Sequence, residues 1–367
     1  MSTTDQLVVI PEVPGILTSQ EVQLTADSLV GLQRENGMIP WFDGGHCDPW
    51  NHVEAAMALS VCGRFKEAEM AYDWLADVQL GDGSWFNYYL DHSIKDARLD
   101  TNVCAYIAAG LWHHSLITGS DEILQRHFPM MEKAIDFVLR WQLPDGGIRW
   151  SLTSAGIPER YALLTGSASI YHSLRCAIAI ADRLGAPRPE WELAAGRLGH
   201  AVAHHPGAFA PKNEFAMDWY YPMLSGALEG EAGRRRMETH LDEFVMYGLG
   251  VRCVSTSEWV TAAETAECVM ALDALGMKDQ ALELFEVAQG HRQVDGSYLT
   301  GIAYPENVTY PEHETTSYTA AAIILAADAL STSSPAAGLF RGETLGKTID
   351  LEGPRCDQRH TGACTAP

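Results

Sequence analysis

Twelve stretches of the chain carry helical periodicity, and the links between them alternate between very short and very long. The stretches fall near residues 19–34, 48–62, 65–79, 100–118, 120–142, 166–184, 188–204, 216–228, 230–247, 260–275, 277–290 and 315–330. The links CGRF, ITGSD, LGAPRP and LGMKD are only a few residues long, as antiparallel helical hairpins require. Others are long and rich in Trp, Tyr, His and Asp: SWFNYYLDHSIKDARLD, GGIRWSLTSAGIPERYALL, HHPGAFAPKNEF, GLGVRCVSTSEW and SYLTGIAYPENVTYPEHE. Little between the helices reads as strand. Hairpins repeated around a ring would gather the long loops on one rim, each leading into the N-terminus of an inner helix.

An internal repeat supports the ring. Residues 51–85 and 264–298 align without a gap at a spacing of 213 residues, matching Glu54 to Glu267, Met57 to Met270, Gly63 to Gly276 and Asp82-Gly83-Ser84 to Asp295-Gly296-Ser297. The closing turn has weaker echoes in QRENG (33–37) and QLPDG (142–146), and QLGDGSW (79–85) fits Q-x3-G-x-W. Gly suits the left-handed cap that ends a helix, and the neighbouring Gln and Asp can bond its polar groups. After residue 330 the pattern stops, which divides the chain into a barrel domain, 1–330, and a C-terminal tail, 331–367.

A formal charge of -23 excludes nucleic acid and acidic membrane surfaces as natural partners. The opening MSTTDQLVVIPEVPG has no basic region followed by an apolar one, and no segment reaches ~18 uninterrupted apolar residues. The expectation is a soluble, cytoplasmic protein with no membrane partner. Of the eight cysteines, Cys62, Cys104, Cys176 and Cys268 lie in apolar helical runs, where free thiols act as small hydrophobes. Cys356 and Cys364 in the tail are the one plausible disulfide. No P-loop, Rossmann fingerprint or H-E-x-x-H occurs, and neighbouring histidines such as His113-His114 and His204-His205 diverge on a helix, so neither a cofactor nor a metal is expected.

The stretch LDTNVCAYIAAGLWHHSLITGSDEILQRHFPMMEKAIDFVLRWQLPDGGIRW resembles the middle hairpin of glucoamylase-like glycoside hydrolases, and TGSASIYHSLRCAIAIADRLG resembles the helix that follows it there. The resemblance implies an all-α fold, the (α/α)6 barrel of six helical hairpins, over roughly residues 30–330. DPWNHVEAAMAL, FAMDWYYPMLSGAL, WVTAAETAECVMALDALG and ETTSYTAAAIILAADAL are also similar to actinobacterial proteins labelled prenyltransferases. The D-x-D-D and D-D-x-x-D strings of terpene enzymes are absent from the chain. The resemblance therefore implies a mycobacterial-type glycoside hydrolase acting on an α-linked oligo- or polysaccharide, such as an α-1,4-mannan or methylmannose polysaccharide. A terpene cyclase or prenyltransferase-like enzyme on the same barrel and a non-catalytic glycan-binding barrel are the alternatives.

Glycoside hydrolysis needs two carboxyl groups across the scissile bond, held ~6.5–9.5 Å apart in inverting enzymes. In FDGGHCDPWNHVEAAMAL, Asp48 caps an inner helix beside His46, Trp50 and Asn51, which a simple cap does not require. Glu264 takes the place of Asn51 in the repeat, in the first turn of the tenth helix. Asp48 and Glu264 are the expected catalytic pair, with the helix dipole expected to lower the Asp48 pKa. Glu54 and Glu267, one turn deeper, read as buried structural acids. Glu258, Glu159 and Glu314 are secondary acids on the loops. Substrate binding is expected from His46, Trp50, Asn51, Trp85, Tyr88, Asp100, Trp219, Tyr220, Trp259 and Glu312, since sugar faces stack on rings while hydroxyls need polar partners.

Overall fold

The computed structural model describes residues 8–349. Its helices are α1 (Ser19–Leu32), α2 (Pro49–Val61), α3 (Phe65–Val78), α4 (Thr101–Ala105), α5 (Ile107–Thr118), α6 (Glu122–Leu139), α7 (Leu164–Arg183), α8 (Pro189–His204), α9 (Ala216–Leu224), α10 (Gly230–Phe244), α11 (Ala262–Ala274), α12 (Lys278–Ala288) and α13 (Ser317–Ser331). The stretch expected as one helix over 100–118 is interrupted at Tyr106, so α4 and α5 share one place in the ring. None of the described helices is long and apolar enough to cross a membrane.

The helices form two concentric layers. In the inner layer α2, α5, α7, α9, α11 and α13 pack each on the next, and α13 packs back on α2 to close the ring. Outside, α3, α6, α8, α10 and α12 each cover the inner helix before them, while α1 lies on α13, so the first and last helices complete the sixth hairpin. This is the all-α (α/α)6 barrel. The inner helices α2, α11 and α13 are Ala-rich and buried on almost every face, which small side chains and high helix propensity permit. The outer helix α3 is amphipathic instead, burying Ala68, Ala71, Tyr72 and Leu75 along one stripe.

The repeated closing turn clamps the outer layer. Gln33, Gln79 and Gln142 each donate through Nε2 to the carbonyl of Gly37, Gly83 and Gly146 four residues on, and each also reaches the next outer helix, at Glu67 O (2.9 Å), Met130 O (2.9 Å) and Ala194 O (3.0 Å). Gly37 has φ +96°, and a Cβ there would lie 2.1 Å from Met70 O; at Gly83 the figures are +98° and 2.2 Å to Lys133 O. Glycine is thus required twice over, by dihedral and by close approach. In the two aligned DGS turns, Asp82 and Asp295 each accept from the backbone N and hydroxyl of the following serine.

The rim loops differ from expectation in carrying short strands. These are β1 (Tyr88–Leu90), β2 (Ser93–Asp96), β3 (Leu99–Asp100), β4 (Ser151–Leu152), β5 (Val245–Met246), β6 (Gly250–Val251), β7 (Trp259–Thr261), β8 (Gly301–Ala303) and β9 (Val308–Thr309). β3 pairs with β4, joining the loops that enter α4 and α7, and β8 pairs with both β7 and β9, joining those that enter α11 and α13. Each is too short for alternation to be legible, because its stability comes from a partner loop far away in sequence. β7 also explains why the helix expected from residue 260 begins at Ala262.

Residues 332–349 pack across the end of the barrel opposite the rim. Ala336 and Leu339 are buried, Phe340 stacks on His172 at 5.0 Å, and Trp112 Nε1 donates to Thr344 Oγ1 at 3.3 Å. Arg341 Nη1 donates to buried Asp273 at 2.6 Å and to Ala329 O at 3.0 Å. Cys356 and Cys364 lie outside the described residues. Cys62, Cys104, Cys176 and Cys268 are free and buried.

Candidate active site

The loop before α2 turns inward because His52 holds it: the backbone N of Ile39 donates to Nδ1 at 3.1 Å while Nε2 bonds Ala71 O at 2.9 Å. This sets Trp41 over the N-terminus of α2. Asp48 caps that helix, its Oδ1 accepting from Asn51 N at 3.0 Å and its Oδ2 from Asn51 Nδ2 at 2.6 Å and Trp41 Nε1 at 2.5 Å. Asn51 therefore holds Asp48 in position. Burial raises the Asp48 pKa more than these donors lower it, which corrects the expectation from the helix dipole alone.

Trp41 connects this acid to the next inner helix. Its ring meets Tyr318, in the first turn of α13, edge-on at 5.0 Å, and the Tyr318 hydroxyl is pushed up by burial and then by the Glu264 charge. Glu264 lies in the first turn of α11, half-buried, and burial followed by the Glu264 charge pushes the Cys253 thiol up. Asp48 and Glu264 thus stand at the same end of α2 and α11, the two neighbours of α13, with Trp41 bonded to the first and Tyr318 under the charge of the second. His46 stacks near both Trp41 and Tyr88, at 4.3 Å from each. Burial and nearby Lys95 lower its pKa to about 4, so it is neutral, and Lys95 Nζ sits 3.1 Å from Nδ1.

Glu54 and Glu267 lie one turn deeper inside the ring and are buried. Tyr220 and Tyr221 donate their hydroxyls to the two oxygens of Glu267, the latter at 2.5 Å. Burial raises the Glu267 pKa to about 7 against the pull of these donors, with the Glu264 charge adding to the rise. Burial, followed by the charges of Glu267 and Asp48, drives Glu54 well above the carboxylate range. Trp50 stacks on Tyr106 at 4.3 Å and bonds Ser169 Oγ at 3.2 Å, beside the same deep pair.

Not every expected binding residue presents a free face. Trp85 is 1% exposed and donates to Leu75 O at 2.9 Å within the helical wall. Trp219 stacks on Phe244 at 5.3 Å and bonds Arg236 O, and Tyr220 is taken up by Glu267. These three pack between helices. Tyr88 and Asp100 do reach the rim: burial and the Asp48 charge raise Tyr88, and burial lifts Asp100, which caps α4, to about 6. Trp259, on β7, bonds Tyr310 O at 2.9 Å; Glu312 is exposed on the loop entering α13. Glu258 is exposed, while Glu159 and Glu314 are half-buried, Glu314 accepting from Thr300 Oγ1 at 3.1 Å.

A cleft of about 290 Å³ opens beside Asp100, between α4, α7 and α9, and brings in residues not anticipated from the sequence: Trp150, Leu163, Met217 and Asp218. Asp218 accepts from Thr165 N at 3.1 Å and Thr165 Oγ1 at 2.5 Å, and burial raises its pKa. An acid in the first turn of an inner helix after a long loop was the available signal for it, the same signal that marks Glu264.

No family model matches the sequence. The chain is, however, 50% identical over 348 residues to the MMP endo-(1,4)-3-O-methyl-alpha-D-mannosidase of Mycolicibacterium hassiacum, covering 95% of this chain and 96% of that protein. It belongs to that family of glycoside hydrolases. Solved structures agree on the fold: a wild-type glycosidase superposes with a TM-score of 0.67 at 14% identity, covering 85% of this chain and 96% of the other. A D-mannose isomerase gives 0.63 at 10% identity, covering 86% and 99%. The barrel alone thus hosts different chemistries, and the family membership makes this endo-mannosidase relative a glycosidase rather than a terpene enzyme or a passive glycan binder.

Proposed function

We propose that the protein hydrolyses internal α-1,4 links of a 3-O-methylmannose polysaccharide with inversion, using Asp48 as general acid and Glu264 as general base. The observations that support this reading are the Trp41–Tyr318 contact, with Trp41 bonded to Asp48 and Tyr318 under the charge of Glu264, and the matching helix starts of the two carboxyls, in a chain half identical to an endo-mannosidase. A protonated Asp48, favoured by burial, suits proton donation to the leaving oxygen. Glu264, half-buried at the rim, suits activation of a water on the opposite face of the sugar. Trp50, His46, Asn51, Tyr88, Asp100, Trp259 and Glu312 are the surrounding substrate and positioning residues under this reading. Free cysteines among the described residues suit a reducing compartment, which favours action in the cytoplasm.

The test combines leaving group and product. Asp48→Ala should lose nearly all activity on the polysaccharide but retain much more on an aryl glycoside whose leaving group needs no proton. Glu264→Ala should lose both, with azide restoring turnover. Proton NMR of the first-formed product should show the β-anomer. Wild-type rates in either variant, or an initial α-product, would overturn the corresponding assignment.

A further inference from the structure

The cleft beside Asp100 has a wall that hydroxyl recognition alone does not call for. Leu163 and Met217 are half-buried on it, backed by Ile148 and Ile170, each 1% exposed. A sugar hydroxyl pressed against these side chains would lose its water without gaining a partner. A methyl ether has the opposite requirement, since its methyl carbon gains from leaving water and its oxygen has no proton to satisfy. Asp100 and Asp218, on the same cleft, provide acceptors for hydroxyls that remain free.

The cleft is tied to both proposed acids. Asp100 senses the Asp48 charge, and Ala216 N, between the lining residues Phe215 and Met217, donates to Cys253 O at 3.0 Å. The Cys253 side chain in turn lies within reach of the Glu264 charge.

We propose that this cleft receives the 3-O-methyl group of a sugar adjoining the scissile bond, with Leu163 and Met217 as its contacts. The proposal rests on the substrate reading above and assigns the methyl preference to named side chains. An apolar pocket discriminates one methylene by roughly 10–200-fold. Gly166 sits on the same wall, and a Cβ there would meet only Asn102 Cβ at 3.6 Å and Leu163 Cβ at 3.9 Å, so Gly166→Ala narrows the cleft without a clash.

The experiment compares kcat/KM for two α-1,4-oligomannosides of equal length, one 3-O-methylated and one not, with competitive Ki replacing kcat/KM if a chain binds without being cut. The wild type should prefer the methylated chain by about tenfold or more. Met217→Gln, which keeps the volume but adds a polar end, Leu163→Asn and Gly166→Ala should each erode that preference, the first two by about tenfold. Folding of each variant is checked by thermal unfolding. Equal use of both chains by the wild type, or a preference unchanged in all three variants, would overturn the cleft assignment while leaving the hydrolase reading intact. A wild type that neither cleaves nor binds either chain would overturn both.

Discussion

The indole N–H of Trp41 donates to Asp48 Oδ2 at 2.5 Å, from a loop that precedes the helix Asp48 caps. The same ring touches Tyr318 of α13, so one aromatic side chain fixes the acid and marks the path toward Glu264. Asp48 is buried yet well supplied with donors, and its titration depends on the balance between the two.

Removing one donor should tip that balance. Trp41→Phe keeps most of the ring but deletes the N–H, and hydrogen bonds to charged groups contribute about 1.5–3 kcal/mol. Losing a donor to the carboxylate favours the protonated form, so the Asp48 pKa rises by about one unit or more. With Asp48 as general acid, the alkaline limb of the kcat/KM profile should move to higher pH. A limb that stays fixed or moves down would remove Asp48 from that role.

The deep pair should make stability fall with rising pH. Glu267 titrates near 7 in the folded chain against a reference of 4.5, so the folded state binds the extra proton between those values. Its favourable contribution is complete below about pH 4.5 and is lost as pH rises from there through 7, a change on the order of 3 kcal/mol. Glu267→Gln removes the titration. Its melting temperature should lose less than the wild type's between pH 5 and 8, as read by calorimetry.

Two glycines separate dihedral strain from close approach. Gly15 has φ +80° with nothing within 4 Å of a built Cβ, whereas Gly37 has φ +96° and a Cβ 2.1 Å from Met70 O. Gly15→Ala should cost about 1–2 kcal/mol, the left-handed penalty alone. Gly37→Ala must also displace the backbone of α3 and should cost about 3 kcal/mol or more. Urea unfolding of both variants measures the difference, and equal losses would refute the clamp between successive outer helices.

The segment after α13 can be tested through Arg341. Its partner Asp273 has a side chain only 3% exposed, so Arg341→Ala leaves a buried carboxylate without its cation. Breaking such a pair typically destabilises by about 3–5 kcal/mol. The double variant Arg341→Ala/Asp273→Asn should recover part of that loss, because the uncompensated charge is gone. A single variant as stable as the wild type would mean that residues 332–349 rest on the barrel without bracing it.

Much of this protein is local and was legible as such. Helix periodicity, short turns and the 213-residue repeat give the six hairpins and the rim, since each depends on residues a few positions apart. Asp48 as a cap, and Glu264 in the corresponding turn, follow from the same spacing. The aromatic residues were less legible: Trp85 and Trp259 both stand in rim loops by sequence, yet one is sealed in the wall and the other lies half-buried on a short sheet.

By itself the sequence determined the helices, their pairing into hairpins and the acids at each helix start, because capping, periodicity and glycine turns act within one or two turns of chain. Only the tertiary structure decided that α1 closes on α13, that Trp41 and burial together set the state of Asp48, and that Glu267 faces two tyrosines of α9. It also decided which loops surround the apolar cleft. Desolvation and hydrogen-bond partners are set by groups that meet in space from distant parts of the chain, and no local pattern records those meetings.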